Sequence, residues 1–200
     1  MSKKLYYRYG AMNSGKSTNL LQAAHNYEER GQKAIIAKPT VDTKDEQVSS
    51  RLGVKRAVDL HINPDTNVFS AFQDLSHQIS TEKNCKVDCL IVDEAQFLTR
   101  EQVNDLFMIA VTLNVPVLAY GIRSDFQANA FPGSMRLLEI AHSLEELKTI
   151  CRCGHKALFN GRKVAGEYVR SGGQVAIDDG SVEYESLCGE CYLKFVGPIE

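Results

Sequence analysis

Eight residues near the start of the chain, Gly10-Ala11-Met12-Asn13-Ser14-Gly15-Lys16-Ser17, constrain the fold more than any other stretch. They fit the spacing G-x-x-x-x-G-K-[ST] of a phosphate-binding loop. The aromatic-rich run Leu5-Tyr6-Tyr7-Arg8-Tyr9 before them predicts a strand. Ser17 to Ala24 predicts the opening of a helix that ends near Arg30-Gly31, with a basic last turn and a glycine stop. That order places inward-pointing backbone N–H groups and the positive end of a helix around one anion. Lys16 is then expected to reach β- and γ-phosphates and the Ser17 hydroxyl to ligate Mg²⁺. The alternative, an ordinary strand–helix turn with a surface lysine, does not require this flanking pattern. A nucleoside-triphosphate site is the expectation.

The remaining chain alternates in the same way. Lys33 to Lys38 predicts a second buried strand stopped by Pro39, and Asn67 to Ser80 carries apolar residues at helical spacing. Val87 to Val92 predicts an apolar strand, and Thr99-Arg100-Glu101-Gln102 resembles a capping box opening another helix. Val115 to Gly121 predicts a strand with Pro116 at its start, and Ser134 to His142 a helix. Leu147 to Ile150 reads as a last strand. Strands alternating with helices imply a parallel sheet with helices on both faces, whose ligands bind beyond the carboxyl ends of the strands. Between Thr40 and Asn63 the chain is polar, and composition leaves open a mobile functional segment or a solvated loop.

Asp93-Glu94 ends the Val87–Val92 strand, where a phosphate-binding loop needs an acidic partner. Asp93 is expected to hold Mg²⁺, usually through water, and Glu94 to take a proton from the attacking nucleophile. Asp93-Glu94-Ala95-Gln96 also looks like the acid box of helicases. The net charge of −2 over 200 residues argues against a basic strand-binding track, and no Asn-Lys-x-Asp guanine reader is present. An alcohol acceptor beside the γ-phosphate fits better. Phe97, Phe126 and Phe131, with Met12, are candidate apolar walls for a flat base, although each taken singly is more often core, and their placement just after strand ends is what favours the pocket.

Four of the six cysteines fall in two close pairs, Cys151/Cys153 and Cys188/Cys191, separated by 34 residues. Four thiolates satisfy tetrahedral Zn²⁺, and a site without an open position is structural. Free thiols are the alternative. His155 is read as a surface residue, and Gly154 suits a tight turn. Phe159 to Tyr184 is read as a long loop or hairpin tethered by the metal, able to close over a small substrate. Met1 to Lys4 leads into the first strand without an apolar signal region, and no apolar run is long enough for a bilayer. A cytoplasmic protein is expected, with neither nucleic acid nor membrane as partner.

Together, Gly10–Ser17, Asp93-Glu94-Ala95-Gln96-Phe97, Gly121-Ile122-Arg123-Ser124-Asp125-Phe126, Leu147 to Gly154, and Tyr184 four residues before Cys188 make the chain similar to the zinc-containing thymidine kinases of bacteria and animal cytosol. The resemblance covers nearly the whole chain. It implies an α/β fold, a P-loop (RecA-like) parallel sheet over residues 1–150 with a small zinc-bound lasso domain over 151–200. It implies transfer of the ATP γ-phosphate to the 5′-hydroxyl of thymidine or deoxyuridine. Gly10, Ala11, Met12, Asn13, Ser14, Gly15, Lys16, Ser17, Asp93, Glu94, Ala95 and Gln96 would bind the nucleotide, with Glu94 the base. Phe126, Val175, Ala176, Ile177, Asp178 and Tyr184 would contact the nucleoside, and Cys151, Cys153, Cys188 and Cys191 would ligate structural zinc. A homotetramer inhibited by dTTP is implied as well. The chain departs from the family where Ile177-Asp178-Asp179-Gly180-Ser181 replaces a more usual Ile-Gly-Gly. Arg51 matches a recurrent family position near the phosphates. On the residues alone, a P-loop ATPase with a nucleic-acid-binding zinc module and a non-catalytic nucleotide sensor remain as rivals.

Overall fold

The computed structural model describes residues 2–40, 47–50, 53–174 and 182–199. In chain order its elements are β1 (Leu5–Tyr9), α1 (Lys16–Glu28), β2 (Lys33–Pro39), β3 (Gln47–Ser49), β4 (Lys55–Ala57), β5 (Leu60–Ile62), α2 (Val68–Lys83) and β6 (Val87–Val92). A short 3₁₀ turn (Ala95–Phe97) leads to α3 (Arg100–Thr112), β7 (Val117–Gly121), α4 (Pro132–Ile140) and β8 (Ser143–Glu146). Then follow β9 (Thr149–Ile150), β10 (Lys156–Ala157), β11 (Phe159–Val164), β12 (Glu167–Val169), β13 (Val182–Leu187) and α5 (Gly189–Phe195).

Six strands form one parallel sheet in the order β5-β2-β6-β7-β1-β8. Successive side chains on a strand point to opposite faces, and here that period divides the core into two layers. Ile35, Ala37, Leu90, Val92, Val117 and Ala119 pack with Val68 and Phe72 of α2, Leu106 and Ile109 of α3, and Leu137 of α4. Their neighbours Ala34, Ile36, Cys89, Ile91, Leu118 and Tyr120 pack on Leu20, Leu21 and Ala24 of α1. Both faces are therefore covered by helices, as the alternation of elements predicts. Each fully buried Leu, Ile or Phe contributes about 1.5–3 kcal/mol, so these layers dominate over the caps. The caps fix where helices begin. Asn67 accepts from the Ser70 N–H at 2.8 Å, and Thr99 and Gln102 exchange the two bonds of a capping box at 3.2 and 3.0 Å.

Three elements differ from the sequence-based expectation. The polar Thr40–Asn63 stretch contains the β3–β4 antiparallel pair and β5, which adds in parallel to the edge at β2. Single apolar anchors, Val48 and Ile62, bury in opposite layers and suffice for such short pieces. Strand β8, where no strand is predicted, lies along β1, tied by an Arg8–Glu145 ion pair at 2.8 Å. An edge strand is half solvated, so Ser143-Leu144-Glu145-Glu146 carries little apolar signal. Phe159 to Tyr184 is neither a bare loop nor one hairpin. β11 and β12 form a hairpin, and β13 returns antiparallel on the other side of β11. Their core joins Leu187, Cys188, Tyr192 and Val196 to Phe159 and Tyr168. The β9–β10 ribbon straddles residue 150 and connects the two sheets along the chain.

Candidate active site

The glycine turn follows β1 and runs into α1 at the carboxyl edge of the sheet. Asn13 and Gly15 both take left-handed backbone angles, φ 65° and 76°, which coil the loop. No atom lies within 4 Å of where a Cβ on Gly15 would sit, so conformation rather than space selects glycine there. Gly10 is chosen by space, because a Cβ would fall 2.5 Å from the Leu147 carbonyl oxygen. The Ser14 hydroxyl is buried without a hydrogen-bond partner among the described residues, a donor suited to an anion seated in the loop. Lys16 Nζ donates to the Ala11 carbonyl at 2.9 Å. Burial lowers the pKa of this ammonium against the opposing pull of Glu94 and Asp93. Two carboxylates thus balance the cation at the loop.

Those carboxylates stand at the end of β6, with β7 lying between it and β1. Asp93 is 5% exposed, and burial together with the Glu94 charge pushes its carboxyl up to about 7. Hard oxygen donors with a buried carboxylate whose ionised form is disfavoured are a donor set that a divalent cation relieves, and Asp93 with the Ser17 hydroxyl fits Mg²⁺ in kind. Glu94 itself is half-buried and holds φ 49°, an unfavourable region for a non-glycine residue. Its carboxylate accepts from Gln96 Nε2 at 2.5 Å, and Gln96 Oε1 accepts the Ile122 N–H at 3.2 Å. Ala95 is buried in the core beside it.

One cavity of about 890 Å³ joins the glycine turn, Lys16, Ser17, Glu94 and Gln96. Met12 to Ser17, Glu94 and Gln96 line it together with Phe97, Phe126, Phe131 and Tyr184. Phe97 and Phe131 meet edge to face at 5.4 Å, and the Arg162 guanidinium lies 3.6 Å above the Phe126 ring. Asp125 accepts from the N–H groups of Gln127 and Asn129 and from Gln174 Nε2 at 3.1 Å. Arg162 donates to the Gly173 and Ser171 carbonyls at 2.8 and 3.3 Å. Both grip the segment Ser171 to Gln174. Val175, Ala176, Ile177 and Asp178, and Arg51, lie outside the described residues.

The sulfurs of Cys151, Cys153, Cys188 and Cys191 lie within 4.8 Å of one another. A tetrahedron with Zn–S bonds of about 2.3 Å has sulfur–sulfur edges of about 3.8 Å. The Cys153–Cys188 separation of 3.5 Å is too long for a disulfide, and none of the four is disulfide-bonded. Burial raises the Cys151 thiol, but the Cys153 and Cys188 amides and the neighbouring Cys153 and Cys191 thiols together bring the value down to about 7. Gly154 takes φ 87° in the turn between Cys151 and His155, as expected, and His155 is exposed. The cluster fits a closed zinc site.

Sequence reading missed Asn160, Arg162, Gln174 and Ser186. For Asn160, Arg162 and Ser186 the signal is the alternation Asn160/Arg162 on β11 against Tyr184/Ser186 on β13, visible only once the strands are paired.

A family model described as "Thymidine kinase" matches residues 3–192 of the chain. A protein named thymidine kinase from Enterobacteria phage T4 is 44% identical over 187 residues, covering 92% of each sequence. One of the same name from Idiomarina loihiensis is 44% identical over 197 residues, covering 96% of this chain and 97% of its own. Another from Legionella pneumophila (strain Lens) is 45% identical over 194 residues, with 96% and 90% covered.

Proposed function

This chain belongs to the thymidine kinase family, and from that premise we propose how its residues divide the reaction. It is an enzyme that phosphorylates thymidine, with ATP as the other substrate. The γ-phosphate passes to the 5′-hydroxyl, giving dTMP and ADP for deoxynucleotide salvage.

One observation carries the assignment of roles: Lys16, Glu94, Phe126 and Tyr184 line a single cavity. Its volume suits a nucleoside with phosphates beside it. The loop from Gly10 to Ser17 binds the triphosphate, and Lys16 stabilises charge on the phosphoryl group in flight. Glu94, held by Gln96, removes the proton from the 5′-hydroxyl as the new bond forms. Phe126, Phe97 and Phe131 wall the base, and Tyr184 contacts the sugar or base. Residues 175–178 would contribute the remaining nucleoside contacts. Ser17 and Asp93 would hold Mg²⁺, which when bound neutralises phosphate charge. The four cysteines would hold structural Zn²⁺, fixing the second sheet without entering the reaction. Supporting both metals are the donor sets themselves.

We extend the reading to a kinase domain over residues 1–150, a zinc-bound lasso domain over 151–200, acceptance of deoxyuridine, and a cytoplasmic homotetramer inhibited by dTTP. These rest on the family resemblance. No helix among the described residues is long and apolar enough to cross a membrane.

The test is ADP release from Mg·ATP with thymidine, other nucleosides or single-stranded DNA added separately. A large rise with thymidine and little with purine nucleosides is expected. Stimulation by DNA alone, or an equal rate with nothing added, would overturn the roles given to the acceptor pocket.

A further inference from the structure

Asn160 and Ser186 are register partners on β11 and β13. Side chains directly opposite on an antiparallel pair leave the same face of the sheet, and both of these are buried, 2% and 6% exposed. Between them they take hold of one residue of the phosphate loop. Asn160 Oδ1 accepts the Met12 N–H at 2.7 Å, and the Ser186 hydroxyl donates to the Met12 carbonyl. Asn160 Nδ2 donates at the same time to the Ser124 carbonyl at 2.9 Å. One side chain thus ties the glycine turn to the loop that carries Asp125 and Phe126.

Two residues along, the same face presents Arg162 and Tyr184. Tyr184 lines the cavity with Phe126, and Arg162 lies over Phe126 and grips the Ser171 and Gly173 carbonyls. A nucleoside that orders this end of β11 and β13 therefore also fixes Asn160 and Ser186. These in turn fix Met12, three residues before Gly15 in the phosphate loop. Thr149 adds a weaker tie to the Asn13 carbonyl at 3.5 Å. The Met12 N–H is already committed to Asn160, so Met12 serves the loop by anchoring it from outside.

We propose that Asn160 and Ser186 are positioning residues that couple the two substrate sites, so that thymidine and ATP each tighten the binding of the other. The inference rests on the substrate assignment above. Thermodynamically, the ligand that orders the clamp first spares the second ligand that ordering, and the effect is reciprocal.

Calorimetric titration with a non-hydrolysable ATP analogue and Mg²⁺, with and without saturating thymidine, tests it without turnover. The wild-type protein is expected to bind the analogue about fivefold or more tightly with thymidine present. Ser186→Ala and Asn160→Ser should bring that factor to within about twofold of one, while the variants stay folded and keep their metal content. A merely structural role would alter both affinities and leave their ratio unchanged. Variants that keep the wild-type factor would overturn the proposal, as would a wild-type protein that binds both ligands independently. Loss of folding or metal in both variants would also overturn it, by making the pair a support of the sheet. Failure of the wild type to bind thymidine at all, seen in a titration of thymidine alone, would instead remove the substrate assignment and this inference with it.

Discussion

The Gln96 amide nitrogen lies 2.5 Å from the Glu94 carboxylate while the amide oxygen accepts the Ile122 N–H. Gln96 is 1% exposed and cannot leave this bridge without stranding buried polar groups. It therefore sets where the Glu94 carboxylate points, and the residue that follows β7 sets Gln96. Glu94→Gln should fold and bind ATP but lose at least about two orders of magnitude in turnover. Gln96→Ala should lose about tenfold in kcat with the KM for ATP within about twofold of wild type. A raised KM for ATP at unchanged kcat would return Gln96 to nucleotide binding. Near-normal turnover in Glu94→Gln would remove Glu94 from the base role.

Gly10 offers a test that does not involve the reaction. A Cβ there meets the Ser14 hydroxyl and, at 2.5 Å, the Leu147 carbonyl oxygen, and the backbone oxygen has little room to shift. Gly10→Ala should cost about 1–3 kcal/mol through overpacking. In a chain of this size that lowers the melting temperature by about 2–12 °C. Gly15→Ala meets no atom but keeps the cost of φ 76°. An unchanged melting temperature in Gly10→Ala would show that the loop relaxes away from β8 and its successor residues.

Gly10–Ser17, Asp93-Glu94 and the cysteine pairs were legible because each is a local pattern whose chemistry depends on neighbours in sequence. The layered sheet was legible because Ile35, Ile36, Leu90 and Ile91 are apolar on both sides of their strands, as a covered parallel sheet requires. Asn160, Arg162 and Ser186 were not. Their meaning comes from register across β11 and β13, strands that are not consecutive in the chain, and nothing local distinguishes them from surface polar residues. Strand β8 was missed for a related reason: Leu144 is half exposed on an edge and needs no partner layer.

The cysteine cluster predicts one bound zinc per chain. Four thiols within 4.8 Å of one another are held by a small core of Leu187, Tyr192 and Val196, which alone buries little surface. Chelation, or Cys188→Ser, should remove the metal and lower the melting temperature by at least about 2–4 °C, the equivalent of 1 kcal/mol or more. Because Asn160 and Ser186 hang from the same sheet, thymidine affinity should fall as well. Elemental analysis with parallel melting curves decides this, and a metal-free protein of unchanged stability would make the cluster four ordinary thiols.

Asp93 sets a pH dependence in the protein free of nucleotide and divalent cation. Its carboxyl is raised from an ordinary 3.8 to about 7, chiefly by burial and next by the Glu94 charge. Between those values the folded chain keeps a proton that the unfolded chain has released. Stability from this group is therefore highest below about pH 4, declines as pH rises to about 7, and is level above. The Asp93→Asn variant has no such proton to lose, so its melting temperature should fall less than that of wild type between pH 5 and 8. Mg·ATP acts in the opposite sense, because the ionised carboxylate is the form a cation favours. The rise in melting temperature on adding Mg·ATP should grow across the same interval in wild type and stay flat in Asp93→Asn. Parallel curves for the two proteins, with and without Mg·ATP, would show that Asp93 neither carries the buried proton nor faces the cation.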